Sequence, residues 1–153
     1  MRFIAFIILL LSTIFGNASN SYVDKVPIIN IANILLQEPN EQSLRETCDY
    51  YNLLSSDQKI ALNCTPSDNL LLFERKSSGE KIVIKPETRD GRRIFQVFVL
   101  GLKNKGNVSQ MLEALGYSKQ SSSLYSSGLK RCEIQQGYIR FYLVVPEPHY
   151  VTD

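Results

Sequence analysis

The chain has 153 residues, 44% of them hydrophobic and 21% charged, with a formal net charge of +2. That apolar share suits one packed core and excludes the low-hydropathy, high-charge composition of disordered chains. The small basic excess is spread along the sequence, so there is no stripe of the kind a phosphate backbone requires, and no nucleic-acid partner is expected.

The opening "MRFIAFIILLLSTIFGNAS" places Arg2 before an apolar run from Phe3 to Phe15 and then the small-residue pattern Gly16-Asn17-Ala18. This reads as a secretory signal over residues 1–18, too short for a membrane span and implying a secreted or periplasmic protein with no stable span after cleavage. A single globular domain over 19–145 and a flexible tail over 146–153, "PEPHYVTD", are expected to follow.

After Pro27, "IINIANILLQ" repeats apolar residues at helical spacing through Ile28, Ile31 and Leu35. "NEQSLRETCDYY" predicts a second helix capped by Asn40, with Leu44, Cys48 and Tyr51 on one face and Glu38-Pro39 as the joint. A third helical turn is expected from Ser55, with Gln58 completing a capping box. "LLLFER", "EKIVIK" and "RRIFQVFVLG" are rich in β-branched and aromatic residues and predict an antiparallel meander. Its turns fall in "KSSG" and "PETRDG", with Asp90-Gly91 as a hairpin turn between solvated arginines.

"GLKNKGN" has the glycine spacing of a phosphate-cradling loop at Gly101 and Gly106, but Asn107 and Val108 stand where Lys and Ser/Thr are required. An ordinary loop is expected. "NVSQMLEALG" then predicts a helix capped by Asn107, with Val108, Met111, Leu112 and Leu115 on one stripe and Gly116 as its left-handed terminator. "SKQSSSLYSSG" reads as a loose polar stretch. "LKRCEIQ" and "GYIRFYLVV" predict two closing strands joined at Gln136-Gly137.

The fold class is α+β, with N-terminal helices packed on one side of an antiparallel meander. A weak echo at a 68-residue spacing pairs Leu44 with Leu112, Cys64 with Cys132 and Phe73 with Phe141, pointing to a duplicated helix-plus-sheet unit. In order of elements alone, two helices followed by a meander resemble the helix-loop-helix-plus-sheet unit of secreted β-lactamase inhibitor proteins and of some envelope proteins. That resemblance implies an exported inhibitor or immunity-type factor that needs no cofactor.

Three cysteines allow one disulfide and one leftover thiol, in three pairings. The echo favours a Cys48–Cys64 bond with Cys132 as the free thiol. Such a bond would close a loop of about fifteen residues and contribute ~3 kcal/mol. In the competing arrangement, Cys48 is an apolar residue of its helix face and Cys64 pairs with Cys132.

Chemistry is poorly supplied. The single histidine, His149, lies in the proline-flanked tail, where a general base cannot be held in place. No metal site, cofactor or catalytic residue is expected, and only Cys132, beside Lys130 and Arg131, offers a nucleophile for a thiol-dependent enzyme.

The strongest functional signal is in the last strand. Alternation puts Ile139, Phe141 and Leu143 in the core and Tyr138, Arg140 and Tyr142 on the other face, a hot-spot composition of rigid aromatics around a guanidinium. Gln96 outward on the earlier strand would add Ile94 and Phe98 to the same surface. The expected function is a non-enzymatic binding protein engaging another secreted or envelope protein through this face. The alternative is a secreted small-ligand or glycan binder using the same aromatics. Asn63-Cys64-Thr65 and Asn107-Val108-Ser109 are sequons, usable only in a eukaryotic secretory pathway.

Overall fold

The computed structural model describes residues 22–56, 69–103 and 105–145. The expected signal peptide, the 146–153 tail with His149, and Gln58, Asn63 and Cys64 lie outside these residues. Among the described residues three helices, α1 (Ile28–Leu35), α2 (Glu41–Tyr50) and α3 (Val108–Ala114), pack on one face of an eight-stranded, wholly antiparallel sheet, the α+β arrangement that patterning predicts. Among the described residues no helix is long and apolar enough to cross a membrane.

Pro27, whose ring pre-sets φ at the helix entry, leads into α1 (Ile28–Leu35). Six apolar side chains of this segment, Ile28, Ile29, Ile31, Ala32, Leu35 and Leu36, are buried, so the helix is nearly surrounded rather than striped. Helix α2 (Glu41–Tyr50) starts where the Asn40 side chain accepts from the Ser43 N–H at 2.9 Å, the predicted cap. The Glu38 carboxylate fixes the joint between these helices by accepting from the hydroxyls of Ser43 and Thr47.

The strands are β1 (Leu53–Ser55), β2 (Leu71–Arg75), β3 (Lys81–Arg89), β4 (Arg92–Leu100), β5 (Ser118–Lys119), β6 (Leu124–Ser127), β7 (Lys130–Ile134) and β8 (Ile139–Leu143). Their order across the sheet is β1-β2-β3-β4-β8-β7-β6-β5. Ser55 ends strand β1, which forms because Leu53 is drawn fully into the core and the backbone pairs with Arg75 to Phe73 of β2; the helical turn expected after it lies outside the described residues. The polar stretch after Gly116 is likewise ordered: Tyr125 is buried, and β6 pairs with β7 from Leu124↔Glu133 to Ser127↔Lys130. Serines hid one inward aromatic that is sufficient to place the strand.

Strand β3 runs through Pro86 to Arg89, further than "EKIVIK" suggests. Pro86 is tolerated because β2 begins at Leu71, opposite Ile84, so beyond that point β3 has a ladder partner on only one side. The turn lies at Asp90-Gly91, both at positive φ, with Arg89 opposite Arg92 as the exposed shoulders.

The two halves repeat an order of elements, but not at the spacing of the sequence echo. Each half is a helix, a left-handed residue and four antiparallel strands, and the halves meet where β4 pairs with β8. Helix α2 ends at Asn52 (φ 54°) and α3 (Val108–Ala114) at Gly116 (φ 89°). Counting back four residues from each, the counterpart of Leu112 is Cys48, 64 positions away; both are fully buried. Phe141 lies on β8 and corresponds to a residue of β4, whereas Phe73 lies on β2, so the echo's third match joins inequivalent strands. At Gly116 the backbone forms a Schellman closure, with Tyr117 N–H donating to Leu112 O at 2.9 Å and Gly116 N–H to Glu113 O at 3.0 Å. Asn107 precedes α3 through a 3₁₀ turn (Lys105–Asn107), and its side chain makes no cap bond, contrary to expectation.

The core lies between helices and sheet. Phe73, Ile82, Ile84, Phe95, Val97, Val99, Tyr125, Cys132, Ile139 and Phe141 meet the apolar faces of the helices. Cys48 and Cys132 are free thiols at 0% exposure, and burial pushes each up to about 12 from 9.0. Cys48 thus behaves as an apolar residue of its helix face, and a partnership with Cys64 falls outside the described residues.

Two polar groups are built into this core. Asn33 Oδ1 accepts from Tyr117 OH at 2.8 Å and Lys130 Nζ at 3.4 Å, tying α1 to the second half of the chain. Arg75, 4% exposed, donates through Nη2 to Val26 O at 2.7 Å and through Nη1 to Asp24 O at 3.4 Å, with Glu80 at 3.9 Å. Its forked donors serve carbonyls that α1 cannot satisfy, and desolvation by burial lowers its pKa.

Arg75→Ala should therefore lower stability by about 1–3 kcal/mol in urea unfolding, because two part-buried carbonyls lose their donor, and Arg75→Lys should restore less than half of that. Alkali should also unfold the protein. The thiol pKa values are raised on folding, so stability is fully present below pH 9 and lost as pH rises towards 12. The slope is about 1.4 kcal/mol per pH unit for each thiol, and between pH 9 and 10 Cys132→Val should halve it in reducing buffer; above pH 10 the Tyr117 hydroxyl, whose pKa burial also raises, adds to the loss.

Candidate functional site

The face of the sheet on which none of the three helices packs is set by register. Because Phe98 pairs with Arg140, Gln96 with Lys85, and Glu133 with Arg140, the side chains of Lys85, Glu87, Gln96, Phe98, Arg140, Tyr142 and Glu133 share one surface across β3, β4, β8 and β7. Sequence alternation had placed Tyr138, Arg140 and Tyr142 opposite the core. The structure agrees for Ile139 and Phe141, at 5% and 0% exposure, on the inner side.

Arg140 is the hub. Its Nε donates to Gln96 Oε1 at 2.9 Å, its Nη1 to Glu133 Oε2 at 3.4 Å, and its guanidinium carbon stands 4.3 Å from the centre of the Tyr142 ring. Tyr142 OH donates to Glu133 Oε1 at 2.9 Å. Gln96 Nε2 donates to Glu87, which also pairs with Lys85 at 3.7 Å and Arg89 at 3.1 Å. Partial burial and the Glu133 bond raise the Tyr142 pKa, so its hydroxyl stays a proton donor across the physiological range.

The predicted residues fall into two groups. Tyr138, Arg140 and Tyr142 are half-buried and reach solvent. Gln96 and Phe98 are 6% and 4% exposed: Gln96 orients the Arg140 guanidinium, and Phe98 packs with Leu72, Val83 and the edge of Tyr138, its ring centre 5.6 Å away. Tertiary packing thus makes two of the five predicted contact residues into supports. Glu133 and Glu87 were missed because a glutamate in a strand reads as solvated. Their register opposite Arg140 and Ile94, respectively, is what recruits them.

Cys132 does not satisfy the requirements of a nucleophile. It is fully enclosed, its pKa is raised by burial and then by Glu133, and Lys130 engages Asn33 and the Tyr117 ring instead of the thiol.

A second feature escaped sequence reasoning. A cavity of about 380 Å³ opens where the sheet ends, bounded by the loop after β4, the start of α3 and the β7–β8 turn. Its lining is mostly apolar and includes Val99, Leu102, Val108 and Ile139, with Lys105 and Tyr138 also lining it.

Comparison of the chain with protein-family models, curated proteins and solved structures finds no match.

Because Arg140 fills the acceptor of a buried Gln96, Arg140→Ala should cost about 1–3 kcal/mol of stability. Tyr142→Phe should cost under about 1 kcal/mol, losing only one partly solvated bond, as read by thermal unfolding.

Proposed function

We propose that this is a small exported binding protein, of inhibitor or immunity type, that engages another exported protein through the sheet face around Arg140. The observation that carries the reading is the prearranged Tyr142–Arg140–Glu133 group, a guanidinium already stacked and hydrogen-bonded at the centre of the sheet. Binding through it would cost little side-chain ordering, which is the main advantage of a rigid hot spot over a flexible one. The Arg140 side chain retains 29% exposure, which suits its guanidinium to a carboxylate or carbonyl of the partner. The apparent signal sequence supports export, and the two enclosed thiols argue against a thiol enzyme.

The test is capture from envelope and secreted fractions of the source organism, using protein from Ser19 onward. A stoichiometric protein retained by the wild type should be lost by Tyr138→Ala/Tyr142→Ala. A hot-spot role predicts affinity weakened about thirtyfold or more in Tyr142→Ala alone. Unchanged affinity in the double variant would end this assignment.

A further inference from the structure

The cavity at the end of the sheet goes beyond the protein-binding face. Its floor is formed by Val99 and Ile139, which pair across β4 and β8, and its wall by Val108 and the half-buried Leu102. Its volume of about 380 Å³ lies within the range of small-molecule sites and well above a packing defect.

Three glycines border it, Gly101, Gly106 and Gly137, and these contribute no side chain to fill it. Gly101 has a reason of its own, since its φ is 69°. Gly137 has none. Its φ is not in the left-handed region, and a Cβ there would meet nothing within 4 Å. Neither backbone strain nor crowding demands glycine at this position, so the opening is not a by-product of turn geometry.

Polar character is confined to a few groups. Ser109 turns its hydroxyl to Tyr125 OH at 2.8 Å and is already engaged. Lys105 is exposed, and its Nζ reaches the Gln136 carbonyl at 3.3 Å; among the described residues it forms no ion pair with a carboxylate. An apolar chamber with one cation that lacks a countercharge complements a ligand with an apolar body and a single negative end.

We propose that this cavity binds a small amphiphilic carboxylate, its alkyl or aryl body against Val99, Val108 and Ile139 and its carboxylate at Lys105. Tyr138 lines the chamber and also packs on Phe98, so the site adjoins the sheet face without sharing Arg140 or Tyr142.

The experiment is calorimetric titration of the protein with dodecanoate and, separately, dodecanol. Dodecanoate should bind one to one and more tightly than dodecanol. Lys105→Gln should weaken dodecanoate about three- to fivefold and leave dodecanol unchanged, as expected for a solvent-exposed ion pair. Leu102→Trp should fill the chamber and reduce both affinities at least tenfold; the chain has no native tryptophan, so its emission also reports folding and ligand entry. Ile134→Trp, from the opposite wall, gives the same test if the first variant does not fold. Absence of saturable dodecanoate binding, or full affinity in a folded tryptophan variant, would overturn the site. Equal affinity for acid and alcohol in the wild type would overturn the carboxylate assignment. Tyr142→Ala should leave dodecanoate binding intact, which separates this site from the protein-binding face.

Discussion

Three residue pairs between β4 and β8 hold the two halves of the protein together: Val97↔Phe141, Phe98↔Arg140 and Val99↔Ile139. Strand pairing alternates faces, so this short ladder supplies both sides at once. Val97, Val99, Phe141 and Ile139 give the helices a continuous apolar floor, while Phe98 and Arg140 meet on the other side. Without it the molecule would be two four-stranded meanders, each with an open edge at β4 or β8. With it the outermost strands among the described residues are β1 and β5, of three and two residues, too short to template pairing with other chains, and the one-sided end of β3 is blunted by Pro86.

The helices lock this junction from one side. α1 sits over β4 and contacts α3, so the N-terminal helix covers the seam between halves instead of only its own half. Asn33 is the point of attachment. Its side chain takes bonds from Tyr117 and Lys130, both in the second half, where an unpaired amide would be costly in so apolar a setting. Tyr117 in turn packs its ring edge-on to Phe141, with ring centres 6.1 Å apart, returning the contact to β8. Polar specificity and apolar packing therefore converge on the same seam.

On the opposite side the seam carries charge. Arg140 is paired in register with both Phe98 and Glu133, so its stem lies over apolar surface while its guanidinium reaches Gln96, Glu133 and the Tyr142 ring. The same register positions Val99 and Ile139 as the cavity floor one step along each strand. Both candidate sites are thus consequences of one strand pairing, on opposite faces of the sheet near its centre and its end.

Local chemistry in the sequence determined much of this. The Asn40 cap, the Asp90-Gly91 turn, the left-handed Gly116 and the alternation of Ile139 and Phe141 against Arg140 and Tyr142 are each decided by a few neighbouring residues, and each is found as read. Tertiary structure decided what depends on partners distant in the chain. Strands β5 and β6 exist because Tyr125 finds a core and β7 offers a ladder, neither of which a serine-rich segment announces. Phe98 and Gln96 became supports because tertiary packing buries them, and the cavity formed because loops from two halves meet where glycines contribute no side chain. The repeated order of elements departs from the 68-residue echo for the same reason. Equivalence between the halves is carried by backbone position, Asn52 with Gly116 and Cys48 with Leu112, and the side chains at those positions need match only in conformation or burial.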